Sequence, residues 1–108
     1  NMISDVEDLI VLFKKLYFII EGKNVNFKYT TEKFIRQIVQ LLEIYKEDNS
    51  TDLKNEIKRL YRNLYPSRSG LTEFFFWDNN FEKRMELNVK LEETKKKISI
   101  LMEKLFYE

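Results

Sequence analysis

The sequence predicts an all-α fold: one domain built as an antiparallel bundle of about four helices, with an ordered Pro/Gly loop before the last helical region. Three observations carry this expectation. With Gly 2 and Pro 1 the chain falls far below average usage of both residues, so long helices can run uninterrupted. Apolar residues recur at steps of three and four over most of the length. The 108 residues suffice for one hydrophobic core, and no repeat or Pro/Gly/Ser linker divides them.

The first helix is expected to start at Ser4, because Ser4 and Glu7 form a capping box in which each side chain satisfies a free backbone donor of the other residue. Asn1 ahead of Met2 reads as a tag remnant, which places the domain at 2–108. Val6, Leu9, Ile10, Phe13, Leu16, Tyr17 and Ile20 share one helical face, and Gly22 can end the helix in the left-handed conformation. Val11, Leu12, Phe18 and Ile19 lie off that face, so this helix is predicted to be the central one.

Val25, Phe27 and Tyr29 alternate with polar residues in what reads as an extended connection pinned to the bundle. Thr30 or Thr31 then caps a second helix running to about Glu47, with Phe34, Ile35, Ile38, Leu41, Leu42 and Tyr45 inward and Glu32 paired to Arg36 outside. Ser50 or Thr51 caps a third, whose stripe is Leu53, Ile57, Leu60, Tyr61 and Leu64. Pro66 stops it, since the residue before proline disfavours helical geometry. The last helix carries Leu91, Ile98, Leu101, Met102 and Leu105 inward, with Glu92–Lys96 and Glu93–Lys97 pairs outside. Asn88 can cap it, or it can continue from about Asp78, because Phe81, Met85, Asn88 and Leu91 keep helical phase.

Several chemistries are disfavoured. The chain has no Cys and no His, which removes disulfides, thiolate chemistry and the commonest metal ligand and general base. Glu43 with Glu47, and Glu82 with Glu86, share helical faces, yet each has a Lys or Arg close in sequence. The expectation is a non-enzymatic protein without metal or cofactor. The densest apolar stretch, from Leu9 to Ile20, is too short to span a bilayer and contains Lys14 and Lys15, so a cytoplasmic location is expected.

Two surfaces stand out as partner sites. If Thr72 caps a helix, then Phe74, Trp77, Phe81 and Met85 form an inward stripe, while Phe75 and Phe76 point away from it. Phe75 and Phe76 then either anchor the preceding loop or form an exposed patch for a protein partner. Arg68, between Ser67 and Ser69, suits recognition of a carboxylate or phosphate, or fixes the loop by bonding carbonyls at the end of the third helix. On that helix Lys54, Lys58 and Arg62 form a column at i, i+4 spacing, beside Arg59. Like charges so placed cost about 0.2–0.5 kcal/mol per pair. The column, with Tyr61 and Tyr65 as stacking platforms, makes weak nucleic-acid binding a second reading, although the formal net charge is only +1.

The stretch Leu64-Tyr65-Pro66-Ser67-Arg68-Ser69-Gly70-Leu71-Thr72-Glu73-Phe74, with Trp77, Arg84 and Asn88 beyond it, resembles a "YP-x-R-x-G-L-x-[DE]-F" signature of small bacterial helical proteins, some of them immunity-type proteins that neutralise a cognate toxin. The likeness covers about a quarter of the chain. It implies a compact helical binder in which Arg68 to Trp77 serve the loop fold or the partner. Immunity proteins that block nucleases are typically acidic, whereas this chain is near neutral, so mimicry of nucleic acid is not implied.

Overall fold

A computed structural model describes residues 1–21 and 28–107. Among these described residues it is all-α, with four helices: α1 (Met2–Ile20), α2 (Lys28–Tyr45), α3 (Thr51–Asn63) and α4 (Phe81–Phe106). A short 3-10 turn, Gly70–Thr72, lies between α3 and α4. Side-chain contacts set the directions. The Lys104 ammonium lies 2.9 Å from the Asp5 carboxylate, so the start of α1 meets the end of α4. Tyr45 and Phe106 stack at 5.3 Å near the ends of α2 and α4. Lys58 lies 4.7 Å from the Tyr107 ring centroid and Lys95 lies 5.6 Å from that of Tyr65, which sets α3 antiparallel to α4. The result is an up-down-up-down bundle.

The core follows the predicted stripes. Val6, Leu9, Ile10, Phe13, Leu16 and Ile20 of α1 pack with Ile35, Ile38 and Leu42 of α2, Ile57, Leu60 and Leu64 around α3, and Leu91, Ile98, Met102 and Phe106 of α4. α1 packs along both α2 and α4 and meets α3 where Phe13 touches Tyr61 edge-on, ring centroids 6.3 Å apart. α2 packs along both α1 and α3, so the two helices share the middle of the bundle, and Val11 and Phe18 of α1 are exposed.

The ends of the helices depart from expectation. α1 starts at Met2 rather than Ser4: the Asn1 side chain accepts the Ser4 N–H at 2.9 Å and takes the capping role predicted for Ser4. α2 starts at Lys28, which puts Thr30 and Thr31 inside the helix, and it ends at Tyr45 rather than Glu47. Thr31 and Glu32 are buried. Arg36 turns instead to Tyr17 of α1, donating to its hydroxyl at 3.0 Å, so the expected external Glu32–Arg36 pair is not the arrangement adopted. Gly22, Val25 and Phe27 lie outside the described residues. Ser50 caps α3 as expected, accepting from Leu53 N–H at 3.2 Å.

α4 starts at Phe81, capped by the Asn80 side chain, which accepts the Lys83 N–H at 2.9 Å. Asn88 is therefore mid-helix and caps nothing. Glu92 pairs with Lys95 at 3.2 Å, three residues on, in place of Lys96. With 26 residues α4 is twice as long as the 13-residue α3. The Asp5–Lys104 contact brings the end of α1 level with about Val89, since both helices rise by the same ~1.5 Å per residue. The first turns of α4 therefore extend past α1.

Candidate functional site

Residues 73–80 form no helix, which corrects the stripe predicted from Thr72. The segment is rich in aromatics and in Asp/Asn, whose side chains compete for backbone bonds, and both features disfavour helix. Asp78 takes this role by accepting the Asn80 N–H at 2.8 Å. The chain instead runs extended, so successive side chains alternate. Phe74 and Phe76 are buried and meet edge-on at 5.0 Å, while Phe75 and Trp77 face outward. The predicted pairing of Phe75 with Phe76 as one patch therefore divides: Phe76 belongs to the core and Phe75 to the surface.

Two devices hold this segment. The first is the turn before it. Gly70 has φ +58°, and a Cβ there would lie 2.6 Å from the Leu64 carbonyl oxygen and 2.8 Å from Pro66 Cδ. Glycine lets Leu71 N–H reach the Leu64 carbonyl at 2.8 Å, and Leu71 is fully buried. Lys95 of α4 donates to the Leu71 carbonyl at 3.1 Å. The second device is Asn88, whose side-chain amide accepts Phe76 N–H at 2.9 Å and donates to the Phe76 carbonyl at 3.0 Å. It thereby mimics a neighbouring strand for one residue. A further bond to the Arg84 carbonyl at 2.8 Å fixes its orientation.

Held in this way, the segment adds its outward rings to the protruding turns of α4. Exposure is 56% for Phe75, 71% for Trp77, 61% for Phe81, 51% for Met85 and 49% for Val89. Phe81, Met85 and Val89 form an i, i+4, i+8 ridge, and a groove of about 350 Å³ lies between it and Phe75. The Arg84 guanidinium sits 4.4 Å from the Trp77 ring centroid and 5.2 Å from that of Phe81, a contact of about 0.5–1 kcal/mol at an exposed site. A second apolar groove of about 450 Å³ runs between α1 and α4, lined by Val11, Leu12, Ile100 and Leu101. Asp8 and Lys97 complete its lining, and it carries no aromatic ring or arginine, whereas aromatic and Arg anchors dominate binding energies at protein interfaces.

The predicted basic column is assembled but partly engaged. Lys54 and Lys58 are half-buried, Lys58 lying against Tyr107, and Arg59 forms a bidentate pair with Glu56. Arg62 and Arg68 are exposed. Tyr61 and Tyr65 touch edge-on at 5.7 Å, and burial pushes both hydroxyls above the ordinary tyrosine range. Their rings serve the bundle more than a stacking platform. Among the described residues no cluster of three or more acidic side chains could hold a metal ion. No described helix is long and apolar enough to cross a membrane.

Sequence reasoning missed Trp77, Phe81, Met85 and Val89 as surface residues. A signal was present. The inward stripe of α4, Leu91, Thr94, Ile98 and Met102, extends backward through Leu87 and Arg84, and Phe81, Met85 and Val89 drift progressively off it at 100° per residue. Fold and surface together define a small all-α protein with an ordered aromatic surface on the first turns of its longest helix. Comparison with known proteins finds no matching family model, no similar curated protein and no similar solved structure.

Proposed function

We propose that the protein is a non-catalytic binding module that engages a protein partner through Phe75, Trp77, Phe81, Met85 and Val89, acting in the manner of an immunity-type protein that occludes a toxin. The observation that supports this reading is the exposure of five large apolar side chains in one place, two of them on a segment fastened by Asn88 and Gly70. Folding leaves such area exposed at a cost in solubility, and contiguous patches of this kind mark interaction sites. A preformed surface also loses little entropy on binding. The signature residues divide along the same line. Pro66, Gly70, Leu71, Phe74 and Asn88 build the loop, whereas Arg68 and Trp77 remain exposed.

Nucleic-acid binding through Lys54, Lys58, Arg62 and Arg68 is the competing reading, and one experiment separates the two. A photoreactive benzoyl-phenylalanine is placed at Trp77, and in a second variant at Arg62, and the cells are irradiated. A discrete protein adduct from position 77 and none from position 62 is expected. Nucleic-acid adducts from position 62, with position 77 silent, would move the function to α3.

A further inference from the structure

The charge around the aromatic surface narrows the chemistry of its partner. Glu82, Glu86 and Glu93 lie along one line of α4 beside Met85 and Val89, all exposed. None of the three has an ion-pair partner among the described residues. Glu73, two residues before Phe75 in sequence, is also exposed. Of the nearby cations, Lys83 lies 3.8 Å from the Asp78 carboxylate and Arg84 stacks on Trp77, while Lys90 is exposed between Glu86 and Glu93; residues 73–93 still carry six acids against three bases. The groove is thus mostly apolar, with Glu92 and Glu93 among its lining residues and Glu82 and Glu86 on the far flank of the ridge, on a chain whose formal net charge is +1.

We infer that this surface receives a cationic amphipathic helix of the partner, an inference that rests on the binding-module reading above. The ridge Phe81, Met85 and Val89 is the i±4 row of a helix, the geometry into which a second helix packs its own ridge. From Phe81 to Glu93 the surface spans ~18 Å, about three turns. Lysine or arginine beside the incoming apolar face would meet Glu82, Glu86 and Glu93, which steers encounter and fixes register. A second copy of this chain offers a smaller counterpart: on α1 the exposed Val11 and Phe18, beside Lys14 and Lys15, present two apolar side chains to the three of the ridge. Its basic helix, α3, has Ile57, Leu60 and Leu64 turned into its own core and presents no apolar face to the groove.

The test uses synthetic helical peptides of about eighteen residues, five turns long, built of Leu and Lys or of Leu and Glu, with Trp77 emission and calorimetry as readouts. The Leu/Lys peptide is expected to bind with a blue shift of Trp77, at least about tenfold more tightly than the Leu/Glu peptide, and to weaken as salt rises. Glu86→Lys with Glu93→Lys should invert that preference. Both sites are exposed, and single Glu86→Lys provides a milder version should the double variant lose its helical spectrum. Equal binding of both peptides, abolished by Met85→Ser, would overturn the cationic partner while leaving the apolar surface as the site. Leu/Lys binding that survives Met85→Ser, or no binding by either peptide, would overturn the inference. Absence of any photoadduct at position 77 would remove the underlying reading as well. Concentration-dependent self-association abolished by Met85→Ser would overturn it in favour of a second copy.

Discussion

The two halves of α4 carry similar apolar residues and meet opposite fates. From Leu91 onward, Leu91, Ile98, Met102 and Phe106 are buried against the other helices. In the first turns Phe81, Met85 and Val89 stand about half exposed or more. Phase and length separate them: Phe81, Met85 and Val89 lie off the inward stripe of α4, and α4 outruns α1 and α3 while its other end is tied to Asp5 by Lys104. Apolar content alone therefore does not define a core. The partners available along the axis decide which turns the fold uses and which remain open to another molecule.

Truncating one ring in each half gives the largest contrast. Phe106→Ala removes a fully buried ring packed on Tyr45 and should cost about 3–5 kcal/mol. Phe81→Ala should stay within about 1 kcal/mol, the sum of a small surface effect and a lost contact to Arg84. Urea unfolding followed by far-ultraviolet dichroism measures both. Similar losses would mean that the first turns of α4 are packed and that the comparison fails.

Gly70→Ala is expected to come next. The added Cβ meets the Leu64 carbonyl and Pro66 in a backbone conformation that alanine disfavours, so a loss of about 1–3 kcal/mol is expected. Because the turn sets where Phe74 and Phe76 enter the core, the variant should also change Trp77 acrylamide quenching. The wild type should emit at long wavelength and quench freely, since its indole is exposed. Unchanged stability would show that the loop tolerates another path.

Helical periodicity made most of the bundle legible. The stripes Ile35–Ile38–Leu42 and Ile57–Leu60–Leu64 and the Ser50 cap are local patterns, and each is where the sequence places it. The segment 73–80 was misread because Phe74, Trp77, Phe81 and Met85 fit a helical period as well as Phe74 and Phe76 fit a strand period, and a short apolar run cannot separate the two. Tertiary bonds decided the matter. Asn88, fourteen residues beyond Phe74 in sequence, supplies the backbone partners of Phe76 that a helix would have supplied internally. The overhang was illegible for a similar reason, since it depends on the relative lengths and register of three helices.

Asn88 permits a finer test at the boundary between the halves. Asn88→Ala leaves Phe76 N–H and C=O without these partners in a partly buried setting, and should cost about 1–3 kcal/mol. Asn88→Asp keeps an acceptor for the N–H, but its ionised carboxylate would face the Phe76 and Arg84 carbonyls, so it should recover part of the loss only in acid, where the protonated carboxyl can donate. Amide exchange at Phe76, measured by nuclear magnetic resonance, should accelerate most in the alanine variant. Protection at Phe76 unaffected by either change would mean that the extended segment is held by Phe74 and Phe76 packing alone.

The smallest effect concerns the contact that sets the register. The hydrogen bond from Lys104 holds the Asp5 carboxyl below the ordinary aspartate range, against a smaller opposing effect of burial. A carboxyl with a lowered folded pKa stabilises the fold above its unfolded pKa, about 3.9, and that contribution disappears as pH falls through the folded value. Asp5→Asn should therefore lower the urea midpoint slightly near neutral pH. The gap from wild type should narrow below about pH 4 and close at stronger acid. Raising salt at neutral pH should also shrink it, because the Lys104 side chain is mostly exposed. A gap that stays constant from neutral to acid pH would show that Asp5 acts through packing or the α1 terminus rather than through Lys104. The register that leaves Phe81, Met85 and Val89 uncovered would then have to be set by Tyr45, Phe106 and the buried stripe of α4.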